Sequence, residues 1–461
     1  MRPKPTHTVF QLKWNTTLIL LLSLTVLFIS ATTYSQEHKE NITQLDKMQW
    51  FKDAKLGIFI HWGLYAVNGI DESWSFYNGY ISHQDYLKQK EGFTAQHYDP
   101  RAWADLIKQS GAKYAVITAK HHDGFALWDS SHSTFNAKQA SAAKKDVLTP
   151  FANALKKEGV KLGIYYSLPD WSFKDYTYFT RDSIRYTIQS NPKRWQNFLD
   201  LYQGQLKELA TIYNPSLWWF DGDWEHTEEE WQAKKVQQFL LNANPQTIIN
   251  SRLKGYGDYA TPEQGMPITK PKANYWELCM TTNNSWGYQK NDTDYKTSQQ
   301  LIGIFTDVIS TGGNLLLDIG PKADGTIPKE QEAILKELGR WTAKHKEAIY
   351  ATKAGIPKEH FYGPTTLSKD ETILYLFVKG NAGGEVVLRG LKNKINRIWV
   401  VGEGTKLQHK VVSKQYWSQY PGIKYIQVPD YVLDPQFTVL AVLLDGKIDL
   451  YREEGAVIES N

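Results

Sequence analysis

One cysteine, Cys279, among 461 residues is too few for an intrachain disulfide framework. Stability must therefore come from a large packed core. Charge of one sign is also scarce: the formal net charge is only +4. No long basic stripe interrupts the chain, so a nucleic-acid surface is excluded. A phosphate-cradling glycine loop is missing too. The GGN at 312–314 leads into a strand-like run and not a helix, which removes the context of a dinucleotide fingerprint. The apolar run at residues 18–29 is too short to span a bilayer comfortably.

That run has another reading. Arg2, Lys4 and Lys13 precede it and Ser30, Ala31, Thr32, Thr33, Tyr34 and Ser35 follow, the order of a secretory signal peptide. Cleavage is expected near Ser35 or Gln36, giving an exported protein, periplasmic or secreted, with no membrane attachment afterwards. A retained signal anchor is the alternative. The absence of cysteine there excludes a lipoprotein anchor. Loss of residues 1–35 removes three basic and no acidic side chains, lowering the net charge from +4 to +1. What the chain has in abundance is aromatic rings, 17 Trp and 27 Tyr. These suit either sugar stacking or large core layers.

From residue 36 to about 356 short apolar runs alternate with helix-like segments. The runs lie at 56–61, 114–118, 162–166, 217–220, 247–249, 275–278 and 314–319, with a weaker one at 133–137. Helical spacing appears at 99–110, where Asp99 caps and Pro100 opens the helix, and at 147–158, 195–212 and 298–310. Strands alternating with helices in nearly eight repeats predict an α/β fold, a (β/α)8-like TIM-type barrel. From residue 357 to 461 shorter alternating runs separated by Gly, Asn and Asp predict a C-terminal antiparallel β-sandwich domain. Its aromatics Tyr416, Trp417 and Tyr420 suit a sugar-binding surface or packing on the barrel, and packing is the expectation.

In such barrels reacting groups gather at the carboxyl ends of the strands. The strand ends here supply His61, His121 and His122, Tyr165, Trp219 with Asp221 and Asp223, Arg252, and Glu277. Imidazoles and a guanidinium donate to hydroxyls, and aromatic faces stack on pyranose rings, so the set reads as a carbohydrate site. Glycoside hydrolysis needs two carboxyl groups. Asp221 directly ends an apolar strand between Phe220 and Gly222, which makes it the preferred nucleophile. The alternative is that Asp221 caps the next turn while Asp223 attacks. Adjacent His121 and His122 would point oppositely on a regular strand, so both reach one ligand only if the strand ends or bulges there. Trp219 and Trp286 could equally be core rings.

LGIFIHWG at 56–63, KHHDGF at 120–125, WWFDG at 218–222, SWGY at 285–288 and GGNLLLDIGPKADGTIP at 312–328 together resemble the α-L-fucosidases of glycoside hydrolase family 29. The resemblance covers roughly residues 47–350. It implies a retaining exo-glycosidase acting on an oligo- or polysaccharide, without a cofactor or metal, with its nucleophile at Asp221. For the acid/base it favours Glu263, 42 residues after Asp221, whereas strand-end logic favours Glu277. A retaining pair of carboxyls stands about 5–5.5 Å apart. The resemblance also implies sugar contacts from His61, His121, His122, Tyr165 and Arg252, and aromatic walls from Trp74, Trp219 and Trp286. One departure is the stretch Glu72-Ser73-Trp74, where many family members carry a contiguous Glu-Trp pair. It leaves an α-L-galactosidase, or a hydrolase of substituted or sulfated fucosides, as the alternative substrate reading. A metal-dependent hydrolase built on His61, His121 and His122 and a non-catalytic sugar-binding protein are rivals of other classes.

Overall fold

The computed structural model describes residues 47–380 and 384–452; the signal-peptide reading at residues 1–35 lies outside the described residues. Seven parallel strands form the main sheet: β1 (Leu56–Ile60), β2 (Tyr114–Lys120), β3 (Lys161–Ser167), β4 (Leu217–Asp221), β5 (Ile248–Ile249), β6 (Glu277–Thr281) and β7 (Asn314–Ile319). Their order is β5-β4-β3-β2-β1-β7-β6. Helices α1 (Pro100–Gln109), α2 (Leu148–Glu158), α3 (Pro192–Tyr213), α4 (Ala233–Ala243), α5 (Ser298–Ser310) and α6 (Lys329–Lys344) supply crossovers. Asp99 caps α1 with Pro100 at its first turn, as the sequence predicts. Among the described residues no helix is long and apolar enough to cross a membrane.

The eighth element is irregular. Residues 258–264 run between the two sheet edges, bridging Asn250 to Tyr259, Ala260 to Trp276 and Glu263 to Cys279, all in parallel sense. Short backbone bonds from Ser251, Ala260, Glu277 and Cys279 complete the seam. A poorly patterned stretch, Thr261-Pro262-Glu263-Gln264, thus closes the barrel and places Glu263 at its rim. The weaker run at 133–137 forms only a bridge between Ala126 and Asn136.

Alternation along the strands separates two cores. Ile58, Ile60, Ile117, Ile164, Trp218, Leu278, Leu317 and Ile319 pack in the large hydrophobic cluster beneath the helices. The intervening residues turn into the barrel, where rings from non-adjacent strands meet: Phe59 of β1 lies 5.0 Å from Trp219 of β4. Gly57 makes room for another ring, since a Cβ there would meet Tyr114 at 2.4 Å. At the centre is Glu277, fully buried, accepting hydrogen bonds from Trp219 Nε1 at 3.1 Å and from the Tyr114 hydroxyl. Three strands are tied through one carboxyl. Glu277 opens β6 and does not end a strand, because the apolar run continues through Leu278, Cys279 and Met280. The strand-end reading of Glu277 is therefore corrected: the side chain sits deep in the barrel.

Eight antiparallel strands follow: β8 (Lys353–Ala354), β9 (Thr365–Leu367), β10 (Ile373–Lys379), β11 (Glu385–Arg389), β12 (Ile395–Val400), β13 (His409–Val412), β14 (Ile423–Gln427) and β15 (Phe437–Leu444). They build sheets of order β8-β9-β10-β15-β12 and β11-β14-β13. Along β15, Phe437, Val439 and Ala441 join the barrel core, while Leu440, Val442 and Leu444 join the sandwich core. One sheet therefore serves both hydrophobic layers. Tyr416 and Trp417, expected to pack on the barrel, are instead 98% and 59% exposed. They lie between two short strands, β13 and β14.

The barrel and the sandwich are also pinned by charge. Arg340 of α6 grips Asp434 with bonds of 2.9 and 3.0 Å, and Lys344 adds a third at 3.2 Å. Burial alone would raise the Asp434 pKa, but the Arg340 hydrogen bonds win and hold it at about 2. Because this lies below the ordinary 3.8, the stabilisation is complete above pH 4 and disappears as pH falls through 2. Asp434→Asn is expected to lower unfolding free energy by about 1–3 kcal/mol at pH 7, with the gap closing near pH 2 in denaturant titrations. A variant as stable as the parent at pH 7 would show that the clamp contributes nothing. Glu277 has the opposite sign. Burial raises its pKa to about 7, despite the bonds from Tyr114 and Trp219, so its neutral form suits the fold. The associated stability is lost as pH rises from 4.5 through 7. Glu277→Gln should flatten the decline in melting temperature between pH 5 and 8, removing at most roughly 3 kcal/mol of pH dependence. Parallel curves for the two proteins would contradict this.

Candidate active site

The carboxyl ends of the strands converge on a cavity of about 160 Å³ lined by Phe59, His61, Glu72, Trp74, His121, Tyr165, Trp219, Asp221, Trp224, Arg252, Glu263 and Trp286. The volume falls below the ~300–1,000 Å³ of drug-sized sites and suits one monosaccharide ring. Most of the residues singled out from sequence meet here. Glu277 is not among the lining residues. Neither is His122, which sits behind Asp221.

Asp221 ends β4, and its neighbour Gly222 has φ +85°, a turn that a side chain would strain and where a Cβ would meet Pro169 at 2.2 Å. The chain must leave the strand sharply there, which projects the carboxylate into the cavity. Tyr165 donates to Oδ2 at 3.0 Å and Arg252 Nη1 to Oδ1 at 3.0 Å. The second amino group of Arg252 donates to Glu263 Oε2 at 2.7 Å. One guanidinium therefore holds two carboxylates. Its Cζ lies 4.5 Å from the Trp219 ring centroid, and its Nε donates to Thr261 Oγ1 at 3.1 Å. Asp221 is mostly buried, with 14% of its side chain exposed, against 39% for Glu263. Asp223, the alternative nucleophile, faces away: its Oδ2 accepts from Lys254 N at 2.8 Å, and it does not line the cavity.

The histidines are neutral donors and acceptors. Burial, first of all, keeps the pKa values of His61, His121 and His122 well below the ordinary range. His61 Nδ1 shares a 2.6 Å hydrogen bond with the buried Asp318. Ser73 Oγ accepts from Asp123 N at 2.8 Å and bonds His121 Nδ1 at 2.6 Å. The Ser167 hydroxyl donates to the Pro169 carbonyl at 3.0 Å, so in the 2.6 Å contact with His122 Nδ1 the imidazole is the donor. His122 Nε2 is then an acceptor, buried without a partner, 3.7 Å from Asp221 Oδ2. The adjacent imidazoles diverge after a register shift near the end of β2. Only His121 reaches the cavity. Among the described residues no three His, Cys, Asp or Glu side chains are grouped to hold a metal ion.

Trp74 lines the cavity as the resemblance implies, and three further residues carry no such signal in the sequence: Asp318, Glu72 and Trp224. Asp318 lies within the motif at 312–328 but reads there as part of a buried strand. Glu72 and Trp74 both line the cavity, and intervening Ser73 turns beneath them to orient His121; Glu72 Oε1 accepts from Gly287 N at 2.5 Å. Burial raises the Glu72 pKa to about 7. Trp224, in the aromatic run after Asp221, lines the cavity mouth with 52% of the residue exposed. Alternation gives no signal for it, because it belongs to a one-turn helix at Asp223–Glu225.

A family model described as alpha-L-fucosidase matches residues 25–347. The plasma alpha-L-fucosidase of Rattus norvegicus is 30% identical over 403 residues, covering 80% of this chain and 85% of the relative. Alpha-L-fucosidase isoenzyme 1 from Paenibacillus thiaminolyticus superposes with a TM-score of 0.78 at 31% identity, over 87% of this chain and all of that one. A Bacteroides thetaiotaomicron alpha-L-fucosidase, solved as a trapped covalent intermediate with 2-fluoro-fucosyl fluoride, gives a TM-score of 0.75 at 27% identity, over 87% and 96% of the two chains. The protein belongs to the alpha-L-fucosidase family, glycoside hydrolase family 29.

Proposed function

We propose that the protein is an exported exo-enzyme that hydrolyses terminal α-L-fucosyl residues with retention, using Asp221 as nucleophile and Glu263 as acid/base. The observation that carries this reading is the single Arg252 guanidinium holding both carboxylates at one cavity. In the first step an Asp221 oxygen attacks the anomeric carbon while the glycosidic C–O bond breaks and Glu263 protonates the leaving oxygen. In the second, Glu263 takes a proton from water, whose oxygen attacks the anomeric carbon and frees Asp221. The covalent intermediate trapped on the Bacteroides relative supports retention. Glu263 is preferred over Glu277 because its side chain opens to the cavity mouth, whereas both Glu277 oxygens are occupied inside the barrel.

Neutral His61 and His121, with Glu72, supply hydrogen bonds for sugar hydroxyls. Phe59, Trp219 and Trp286 supply an apolar wall, with Phe59 5.0 Å from Trp219 and 5.9 Å from Trp286. We assign the C5 methyl of fucose to that wall. An L-galactoside would bring a hydroxyl there without a partner, so the fucoside is the preferred substrate. Export rests on the basic, apolar and small-residue succession in residues 1–35. A mature N-terminus near Gln36 in the exported fraction is the expected finding.

Turnover of aryl α-L-fucoside and aryl α-L-galactoside by the parent, Asp221→Ala and Glu263→Gln tests the assignment. Asp221→Ala should lose about 10⁴-fold or more in kcat. Glu263→Gln should lose about 10²–10⁴-fold on a sugar leaving group and much less on an activated aryl group, which departs without a proton. Early NMR spectra of the released sugar should show the α-anomer first. Comparable turnover by Asp221→Ala, or first release of the β-anomer, would defeat the mechanism; preference for the galactoside would move the substrate.

A further inference from the structure

We propose that Trp224 is the aglycone platform of this site, stacking on the sugar ring that carries the fucosyl group. The inference rests on the fucosidase reading above and deepens it by naming the class of leaving group, a pyranose and not a flexible or ring-free alcohol.

The first support is a rigid mounting. The one-turn helix Asp223–Glu225 is pinned on both sides of Trp224. Before it, Asp223 accepts from Lys254 N at 2.8 Å through Oδ2 and from Trp231 Nε1 at 3.0 Å through its carbonyl. After it, the Glu225 carboxylate accepts from Trp171 Nε1 at 3.0 Å and from the Tyr176 hydroxyl. Four donors from three segments thus fix the turn beneath a side chain that is itself half in solvent. An exposed ring on a mobile loop would lose much of any stacking energy to ordering; this one is already ordered.

The second support is the ring's surroundings. Trp74 lies 6.2 Å away with planes only 17° apart, and His122 meets the ring edge-on at 6.0 Å. Trp74 is itself held by Tyr77 and Trp171 at 5.5 and 5.0 Å. The neighbours therefore set the plane of Trp224. Its 52% exposure leaves a large apolar face open in water, in contrast to the buried Trp62, Trp171, Trp219 and Trp231. Those four donate their indole N–H to protein groups, at 2.9–3.1 Å. The indole N–H groups of Trp74 and Trp224 donate to no protein group among the described residues, so an apolar face and a free donor stand together at the mouth. A pyranose presents the matching pair, a C–H face and hydroxyl acceptors.

The third support is position. The acid must touch the leaving oxygen, so the aglycone emerges on the side of Glu263, the half-open carboxyl of the cavity. Trp224 lines the same small cavity and is its most exposed ring, three residues after the nucleophile. The cavity itself has no room for a second sugar, which must rest against the rim.

The test compares kcat/KM for a fucosyl-galactose disaccharide with that for α-L-fucosyl fluoride, whose leaving group has no ring. In Trp224→Ala the disaccharide-to-fluoride ratio should fall about tenfold or more, with the loss mostly in KM. Trp224→Phe, which keeps a ring face, should recover most of the ratio. Equal losses on both substrates would mean that Trp224 only shapes the Asp221 turn, and would overturn the proposal; so would an unchanged ratio in an otherwise active variant. Failure of the parent to hydrolyse either substrate would instead remove the fucosidase reading itself.

Discussion

A carboxylate at the mouth of a dry barrel is costly unless a cation meets it, and here one cation meets two. Arg252 binds Asp221 and Glu263 through different amino groups, lies against Trp219, and is anchored to Thr261 on the closing segment. The planar, five-donor guanidinium suits this task in a way that a lysine ammonium could not, because the directions of its bonds are fixed. Trp219 in turn is fixed by Glu277, and Glu277 by Tyr114. A continuous polar chain therefore runs from the inside of the barrel to the nucleophile.

The remainder of the site is polar with little fixed charge. Desolvation depresses the three imidazoles and raises Glu72 and Glu277 to about 7. The imidazoles are thereby held neutral and the two carboxyls driven toward their neutral forms, able to bond hydroxyls without a large reorganisation of water. The partners that orient them are humble side chains: Ser73, Ser167 and Asp318. The apolar faces of Phe59, Trp219 and Trp286 complete a cavity that can tell one side of a sugar ring from the other.

Much of this was legible in the chain. The runs at 56–61, 114–118, 217–220 and 314–319 correspond to barrel strands because parallel strands buried on both faces read as continuous apolar stretches between helical crossovers. Glu277 reads as a strand end but opens β6, because an apolar run does not reveal where in its length the pairing begins. The roles of His121 and His122 diverged because a bulge, invisible in composition, decides which way each ring turns. Trp417 was expected to be covered and is not, since exposure depends on what packs above a hairpin.

The sequence by itself determined the alternation of elements, the turn enforced at Gly222 and the chemical groups available at the strand ends, all of which follow from local sterics and periodicity. Only the tertiary structure decided which carboxyl stands beside Asp221. Glu263 and Glu277 are 14 residues apart in the chain. Closure of the barrel by residues 258–264 lifts Glu263 to the mouth, while the start of β6 holds Glu277 deep inside. That choice is made by long-range pairing across a closed sheet, and no local pattern encodes it.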